Sequence, residues 1–326
     1  MTKYFAGNSL AAFKRTTAAI TDGDTTSGRF DTAYVSSAIH IGAGSTGQYI
    51  ETPPFSATGS FWLRYDIYQG GNPSASTDSF MEMYNGATPV FRFRTTIVSY
   101  LVTPQYWTAG AWASAGSTFT LANSALTTLV IRIDLNSGFE VFMNNTSVAS
   151  GTGWSGGQTT ITAVRLFPGN TATASTTATR VSQIMGANYD IRDTHLMASA
   201  LNGNSAANTG ASSGVYTDVN EGVLNDATAI AISTSANKAG QTHAGITLPG
   251  GYVIAAAVVA ARGRHDGVIS DGKLGIRSAG TNYSSSGKSY AAGYEPRLHI
   301  VDNNPATSAP FTQGGFNGVE PYLEAA

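Results

Sequence analysis

The sequence predicts an all-β protein built as one large β-sandwich followed by a smaller one. Three observations predict it. The 37 glycines, 15 tyrosines and 14 phenylalanines of the 326-residue chain favour short strands and many turns over long helices. Runs of β-formers alternate strictly in polarity. Phe61, Leu63, Tyr65 and Ile67 point one way and Trp62, Arg64, Asp66 and Tyr68 the other, which is the period of a half-buried strand. No stretch carries a convincing 3.6-residue period.

The elements follow in order. Residues 1–29, including FKRTTAAITDGDTTSG, read as an N-terminal arm that orders only against a neighbour. From Phe30 to about Arg180, strands are predicted at residues 48–51, 60–69, 79–86, 89–103, 128–136, 139–144 and 160–168. Such a series, joined by loops, calls for two antiparallel sheets packed face to face. Residues 180–198 supply the last strand and an exit segment, so the sandwich is assigned to 30–198. The polar, low-complexity stretch GNSAANTGASSG marks a linker over 199–214. Beyond it, residues 215–326 carry short runs at 215–221, 229–235, 243–249, 252–262, 273–279 and 296–302, richer in Ala, Val and Ile than in aromatics. This second β-sandwich ends in an aromatic tail, Phe311, Phe316 and Tyr322, that needs something to pack against. Those three residues are assigned to oligomerisation, because a small domain gains core by packing on copies of itself.

Composition excludes several classes of function. Only 12% of residues are charged and the formal net charge is -2, with Lys and Arg scattered, so nucleic acid and acidic lipid are not expected partners. The longest apolar run, YVIAAAVVAA at 252–261, is far short of the roughly 20 residues of a membrane helix. It reads as a buried strand or a short helix, and no membrane insertion is expected. Cysteine is absent, which excludes disulfides and thiolate metal sites. The N-terminus MTKYFAGNSLAAFKRTT lacks the apolar core of a Sec signal, so the product is expected to be made in the cytoplasm without a signal peptide.

The catalytic motifs weigh against an enzyme. Lectin-like glucanases place two carboxylates on one strand as E-x-D-x-x-E, to flank a sugar from one sheet face. Strands 79–86 and 61–68 hold one carboxylate each. The histidines His40, His195, His243, His265 and His299 have no metal-ligand spacing, and no metal or other cofactor is expected. Asp22-Gly23-Asp24 and Asp134-Leu135-Asn136 offer the hard oxygens that Ca²⁺ prefers, but such residues more commonly make turns. GAGSTG at 42–47 and GTGWSG at 151–156 match a nucleotide-binding pattern without opening a helix. GWSGG and GASSG match a nucleophile elbow without its strand-to-helix turn. All four read as turns.

The aromatic set remains. Tyr106, Trp107 and Trp112 lie in the loop-like TPQYWTAGAWASAG, and Trp154 lies in GTGWSGG. Aromatic faces stack on sugar rings and amides bind hydroxyls, so these four with Asn144 and Asn145 form a candidate glycan site. The competing reading places the rings as plugs at the ends of the sandwich or at a subunit interface. The overlapping sequons at Asn144 and Asn145 read as a turn rather than as glycosylation sites.

These stretches resemble a known family. "LTTLVIRIDLNSGFEVFMNNTSVASGTG" (126–153) and "ATGSFWLRYDIY" resemble strands of concanavalin A-like, laminin-G-like jelly-roll sandwiches. "VSQIMGANYDIRDTHLMASALNGN" followed by "YTDVNEGVLNDATAIAIST" is similar to the joint between a lectin-like domain and a second β domain in virion proteins of tailed phages and gene transfer agents. Ile191, Asp193 and Asn220 depart from that pattern. The closing "YEPRLHIVDNNPATSAPFTQGGFNGVEPYLEA" resembles the ending of those proteins, with Asn317 and Glu320 at the matching spacing.

The resemblance implies a non-enzymatic, homo-oligomeric protein, a trimer or pentamer, on a virion surface. A head spike or fibre, a capsid decoration or a tail receptor-binding subunit would contact capsid or tail proteins and host-surface glycan. A purely structural subunit without ligand is the alternative. A polysaccharide depolymerase is the third reading, and the missing carboxylate pair argues against it.

Overall fold

The computed structural model describes residues 1–17, 19–41, 47–70, 79–95, 101–135, 137–152, 157–166, 179–211, 214, 229–265, 267 and 269–326. The chain divides into two compact units, Met1–Leu196 and Met197–Ala326. Both are built almost wholly of antiparallel strands.

Unit 1 carries β1 (Lys3–Gly7), β2 (Lys14–Arg15), β3 (Ile20–Asp24), β4 (Ala38–Ile41), β5 (Ile50–Glu51), β6 (Ala57–Thr58), β7 (Ser60–Gln69), β8 (Ser79–Asn85) and β9 (Thr88–Thr95). It continues with β10 (Leu101–Thr108), β11 (Ala111–Ser114), β12 (Phe119–Thr120), β13 (Leu126–Asp134), β14 (Gly138–Met143), β15 (Thr146–Thr152), β16 (Thr160–Ile161), β17 (Ala163–Leu166) and β18 (Thr179–Ala187). The first sheet runs β15-β14-β13-β7-β18-β4-β3, with β1 on β18. The second runs β11-β10-β9-β8-β17-β5-β2, with β12 on β10, and β6 and β16 form a small separate pair. This is a lectin-like jelly-roll sandwich, as the alternation predicts. Phe61, Leu63 and Tyr65 of β7 and Leu129, Ile131 and Ile133 of β13 face Met81, Met83, Phe91 and Phe93 of the second sheet, and all are fully buried.

Two sequence expectations for this unit are corrected. Residues 1–29 are no arm: β1 pairs with β18, β2 with β5 and β3 with β4, and Phe5, Leu10, Phe13 and Ile20 are core side chains. These strands are short and interrupted by polar turns, so their alternation is too brief to read. β7 is also not half-buried. Trp62, Arg64 and Asp66 on its outer face are buried too, because residues 189–196 cross that face. The Arg192 guanidinium lies 4.5 Å from the ring centre of Phe142 and 6.0 Å from that of Trp62.

Unit 2 is smaller. It holds β19 (Leu201–Asn204), β20 (Lys238–His243), β21 (Ala257–Gly263), β22 (Asp271–Ser278), β23 (Thr281–Ser284), β24 (Lys288–Ser289), β25 (Glu295–Val301), α1 (Gln313–Asn317) and β26 (Glu320–Ala325). One sheet runs β19-β20-β26-β22-β23 with β24 on β22, and β21 and β25 form a two-stranded ribbon. Ile254, Ala257, Ile276, Phe311 and Val319 form the core between them.

The expected linker begins instead with a strand, since β19 pairs with β20. The run at 252–261 is strand only from Ala257, and Val253 is 85% exposed. Residues 244–249 are no strand either. The Asn317 amide bonds both the N–H and the carbonyl of Ile246, and Gln313 Oε1 accepts from Leu248 N. The aromatic tail is corrected as well: Phe311 is 4% and Tyr322 3% exposed, and Phe316 packs against the same cluster. These rings complete the core of their own unit, so they are not surface groups waiting for another copy. The expected strand at 215–221 lies outside the described residues.

Candidate functional site

Strand pairing assembles a continuous row of polar side chains on the outer face of the second sheet. Residues paired directly across strands share a face. Gln105 pairs with Arg92, Arg92 with Glu82, Glu82 with Arg165, Arg165 with Glu51 and Glu51 with Lys14. From Arg92 to Lys14, cations and anions therefore alternate across five strands. Arg92 Nε donates to Gln105 Oε1 at 2.7 Å, and Arg165 Nε donates to Glu51 Oε2 at 2.6 Å. The Tyr84 hydroxyl donates to Glu82. Burial, and then this bond and the Glu82 charge, raise the Tyr84 phenol well above its ordinary value, so it stays a donor.

Aromatic rings flank the row. The Arg165 guanidinium lies 4.2 Å from the Tyr84 ring centre and 4.5 Å from that of Tyr49. Arg92 lies 4.3 Å from the centre of Trp112. Trp112 pairs with Trp107 across the β10–β11 hairpin, and their rings meet edge to face at 5.2 Å. The expected loop is thus a tight hairpin. Ala109 and Gly110 take φ of 49° and 82°, the pair of left-handed residues that a two-residue turn matching strand twist requires. From Trp112 on β11 to Glu51 on β5 the row crosses five strand intervals, about 24 Å. It presents half-buried rings at one end and fixed donors and acceptors along its length.

The six predicted glycan-site residues do not form one site. Trp107 and Trp112 share the outer face of the second sheet. Tyr106 pairs with Phe91 and Ala113, so its side chain belongs to the opposite, inner face. Asn144 and Asn145 make the β14–β15 turn of the first sheet, with φ of 50° and 65°. Trp154 lies outside the described residues, as do most of the glycine motifs at 42–47 and 151–156 and Asn136. Pairing across β8, β17 and β5 brings Glu82, Arg165 and Glu51 into one row. A sequence reading confined to single strands misses them, and the only signal is that each strand places one charge on its polar face.

The Asn144–Asn145 turn instead borders a polar recess of about 260 Å³ on the outer face of the first sheet, lined by Arg64, Thr128, Asn144, Asn145, Arg192 and His195. Asn144 Oδ1 accepts from Thr128 N at 3.0 Å, and Asn145 Nδ2 donates to Asp193 Oδ1 at 3.1 Å. Arg64, 3% exposed, donates to the Arg192 carbonyl, and its Nη2 lies 3.2 Å from His195 Nδ1. Behind it, Asp66 accepts from Thr128 Oγ1 and Gln183 Nε2, both at 2.7 Å. His195 stacks on Tyr34 at 3.8 Å. Burial and the Arg64 charge hold the imidazole down to about 4, so it is neutral near pH 7. Its Nδ1 also lies 3.2 Å from Gln183 Oε1, so the ring is held between Arg64 and Gln183.

The carboxylates considered for Ca²⁺ have protein partners. Both oxygens of Asp22 accept from Leu10 N, Asp24 accepts from Arg29 and Arg180, and Asp134 accepts from Ser60 and pairs with Arg132. Among the described residues no group of three His, Cys, Asp or Glu side chains could hold a metal ion.

The sequence matches no protein-family model and no curated protein. Among solved structures the chain is similar to the cellulose-induced protein Cip1, with 14% identity and a TM-score of 0.43, covering 56% of this chain and 94% of that one. It is similar to the globular domain of T. cruzi calreticulin, with 11% identity and a TM-score of 0.42, covering 59% and 91%. Botulinum neurotoxin type C, whose cell entry depends on interaction with two ganglioside molecules, is matched at 5% identity and a TM-score of 0.42, covering 59% of this chain and 49% of that one. At these scores and identities the likenesses assign neither ligand nor activity, and the site rests on its own geometry.

Proposed function

We propose that unit 1 binds polysaccharide along the outer face of its second sheet, and that the protein is an attachment subunit on the surface of a phage-like particle. The observation that carries the binding half is the row from Trp107 and Trp112 through Arg92, Glu82 and Arg165 to Glu51. A sugar chain needs apolar platforms for its ring faces and fixed hydrogen-bonding groups for its hydroxyls. This face offers both in a line about 24 Å long, the width of six strands. The guanidinia and carboxylates are already paired to one another, so they stay oriented without a ligand and lose little freedom on binding.

The attachment half is supported by the sequence resemblance at 181–234 and at the C-terminal closing segment. It makes capsid or tail proteins and further copies of this chain the partners, and host-surface polysaccharide the ligand. The row supports binding rather than hydrolysis, because Glu82 and Glu51 flank Arg165, which is ion-paired to Glu51.

Affinity electrophoresis of the full chain in gels cast with host capsular polysaccharide tests the reading. Retardation of the wild type that is lost in a Trp107→Ala/Trp112→Ala variant with an unchanged melting profile is expected. Absence of retardation with every host polysaccharide, or retention unchanged in the variant, would leave the purely structural subunit as the better account.

A further inference from the structure

The recess on the first sheet has a chemistry distinct from the row on the second. No carboxylate lines it. The nearby acids have other partners: Asp190 grips Arg192 through the Arg192 N–H, Nε and Nη2, Asp193 takes the Asn145 amide, Asp66 takes Thr128 and Gln183, Glu140 takes the Ser147 hydroxyl and Asp31 takes the Ala33 N–H. What faces the space is mostly donors. The guanidinia of Arg64 and Arg192 form two walls, with the His195 imidazole beside them. The acceptor end of Asn144 is consumed by Thr128 N, which leaves its NH₂ end. Asn145 spends its NH₂ on Asp193 and keeps its carbonyl, a single acceptor among the donors.

Two guanidinia and the Asn144 amide N–H around one space suit an anion, and planar guanidinium forks suit a carboxylate best. An acceptor beside them suits a hydroxyl on the same ligand. The volume of about 260 Å³ lies below the roughly 300–1,000 Å³ of drug-sized pockets, so it holds a single ring. The turn that shapes it is fixed rather than mobile in register, because two consecutive left-handed residues dock on Thr128 through both the main chain and the side chain of Asn144.

We propose that this recess is a second ligand site, specific for one carboxylate-bearing sugar residue, held by Arg192 and Arg64 at its carboxylate and by the Asn144–Asn145 turn at its hydroxyls. The site is independent of the row on the second sheet, which lies on the opposite outer face of the sandwich. A particle protein carrying both would read an acidic sugar on one face and a chain of sugars on the other.

Saturation-transfer NMR titration of the full chain with sodium glucuronate tests this, with glucose and sodium acetate as parallel probes. Saturable glucuronate binding is expected, weakened about tenfold by Arg192→Gln through loss of a charge-assisted contact. Asn145→Gly, which keeps the left-handed turn while removing the amide, is expected to weaken it as well. Trp107→Ala is expected to leave it unchanged, so failure of the polysaccharide reading and failure of this one are distinguishable. The proposal is overturned if glucuronate gives no saturable signal, if Arg192→Gln and Asn145→Gly both bind like the wild type, or if glucose or acetate binds as tightly as glucuronate.

Discussion

Trp107 and Trp112 meet edge to face at 5.2 Å across the β10–β11 hairpin, and the face of Trp112 rests against Arg92 at 4.3 Å. The hairpin is therefore tied to the charged row through Arg92. Trp112→Ala removes a cation–π contact of about 0.5–1 kcal/mol together with half of the ring platform. Its stability cost is expected to be small and its effect on polysaccharide retention about tenfold. Arg92→Lys is expected to lower retention too, because a lysine cannot stack on Trp112 and bond Gln105 at once. Affinity electrophoresis beside thermal melts separates the two effects. Retention that falls only in proportion to lost stability would argue against a binding role.

How much of this was legible in the sequence differs between fold and site. The alternation at 60–69 and 128–134 gives the sandwich, because a period of two survives in one strand. The N-terminal strands escape because five residues such as KYFAG are too few to show a period. The predicted glycan-site residues share a type, and type says nothing about face. Tyr106 lies one residue from Trp107 and so points to the other side of the same strand. The charged row and the Arg64–His195–Gln183 network escape for another reason. They are made by residues from many strands, joined by register alone, and no local spacing encodes register.

Gly151 marks where the edges of the two sheets touch. A Cβ there would stand 1.9 Å from the Ala115 carbonyl oxygen and 2.5 Å from the Phe139 ring. Backbone cannot yield as a flexible side chain can. Gly151→Ala is expected to destabilise unit 1 by about 1–3 kcal/mol. Gly250→Ala, with nothing within 4 Å of the added carbon, serves as the tolerated control. Denaturant melts of the two variants check this, and equal midpoints would refute the close approach.

Phe311 sits in the core of unit 2 with Ile254, Ala257, Ile276 and Val319. Phe311→Ala is expected to cost about 3–5 kcal/mol, and the loss is expected to be independent of protein concentration. An interface residue would behave differently, since subunit contacts make the midpoint depend on concentration. Melts over a hundredfold concentration range distinguish the core role from the oligomerisation role that the sequence suggested.

Acid provides the last test, through His195. Its ordinary value of 6.5 falls to about 4 in the fold, chiefly by burial and then by the Arg64 charge. Between those values the unfolded chain binds a proton that the folded chain refuses, so stability falls as pH falls from 6.5 to 4. His40, beside Arg180, is lowered by burial first and then by that charge, and it acts with the same sign. Asp66 acts with the opposite sign, since burial raises its carboxyl despite its bonds to Thr128 and Gln183. Asp24 does not interfere. Burial alone would raise it, but its bonds from Arg180, Thr26 and Arg29 hold it well below its ordinary 3.8, so its contribution is lost only in stronger acid. A His195→Gln variant keeps a neutral side chain without a titrating proton. Its melting temperature is expected to fall less steeply over pH 6.5 to 4 than that of the wild type. Parallel pH profiles for the two proteins would show that His195 is not held neutral against Arg64 and Tyr34.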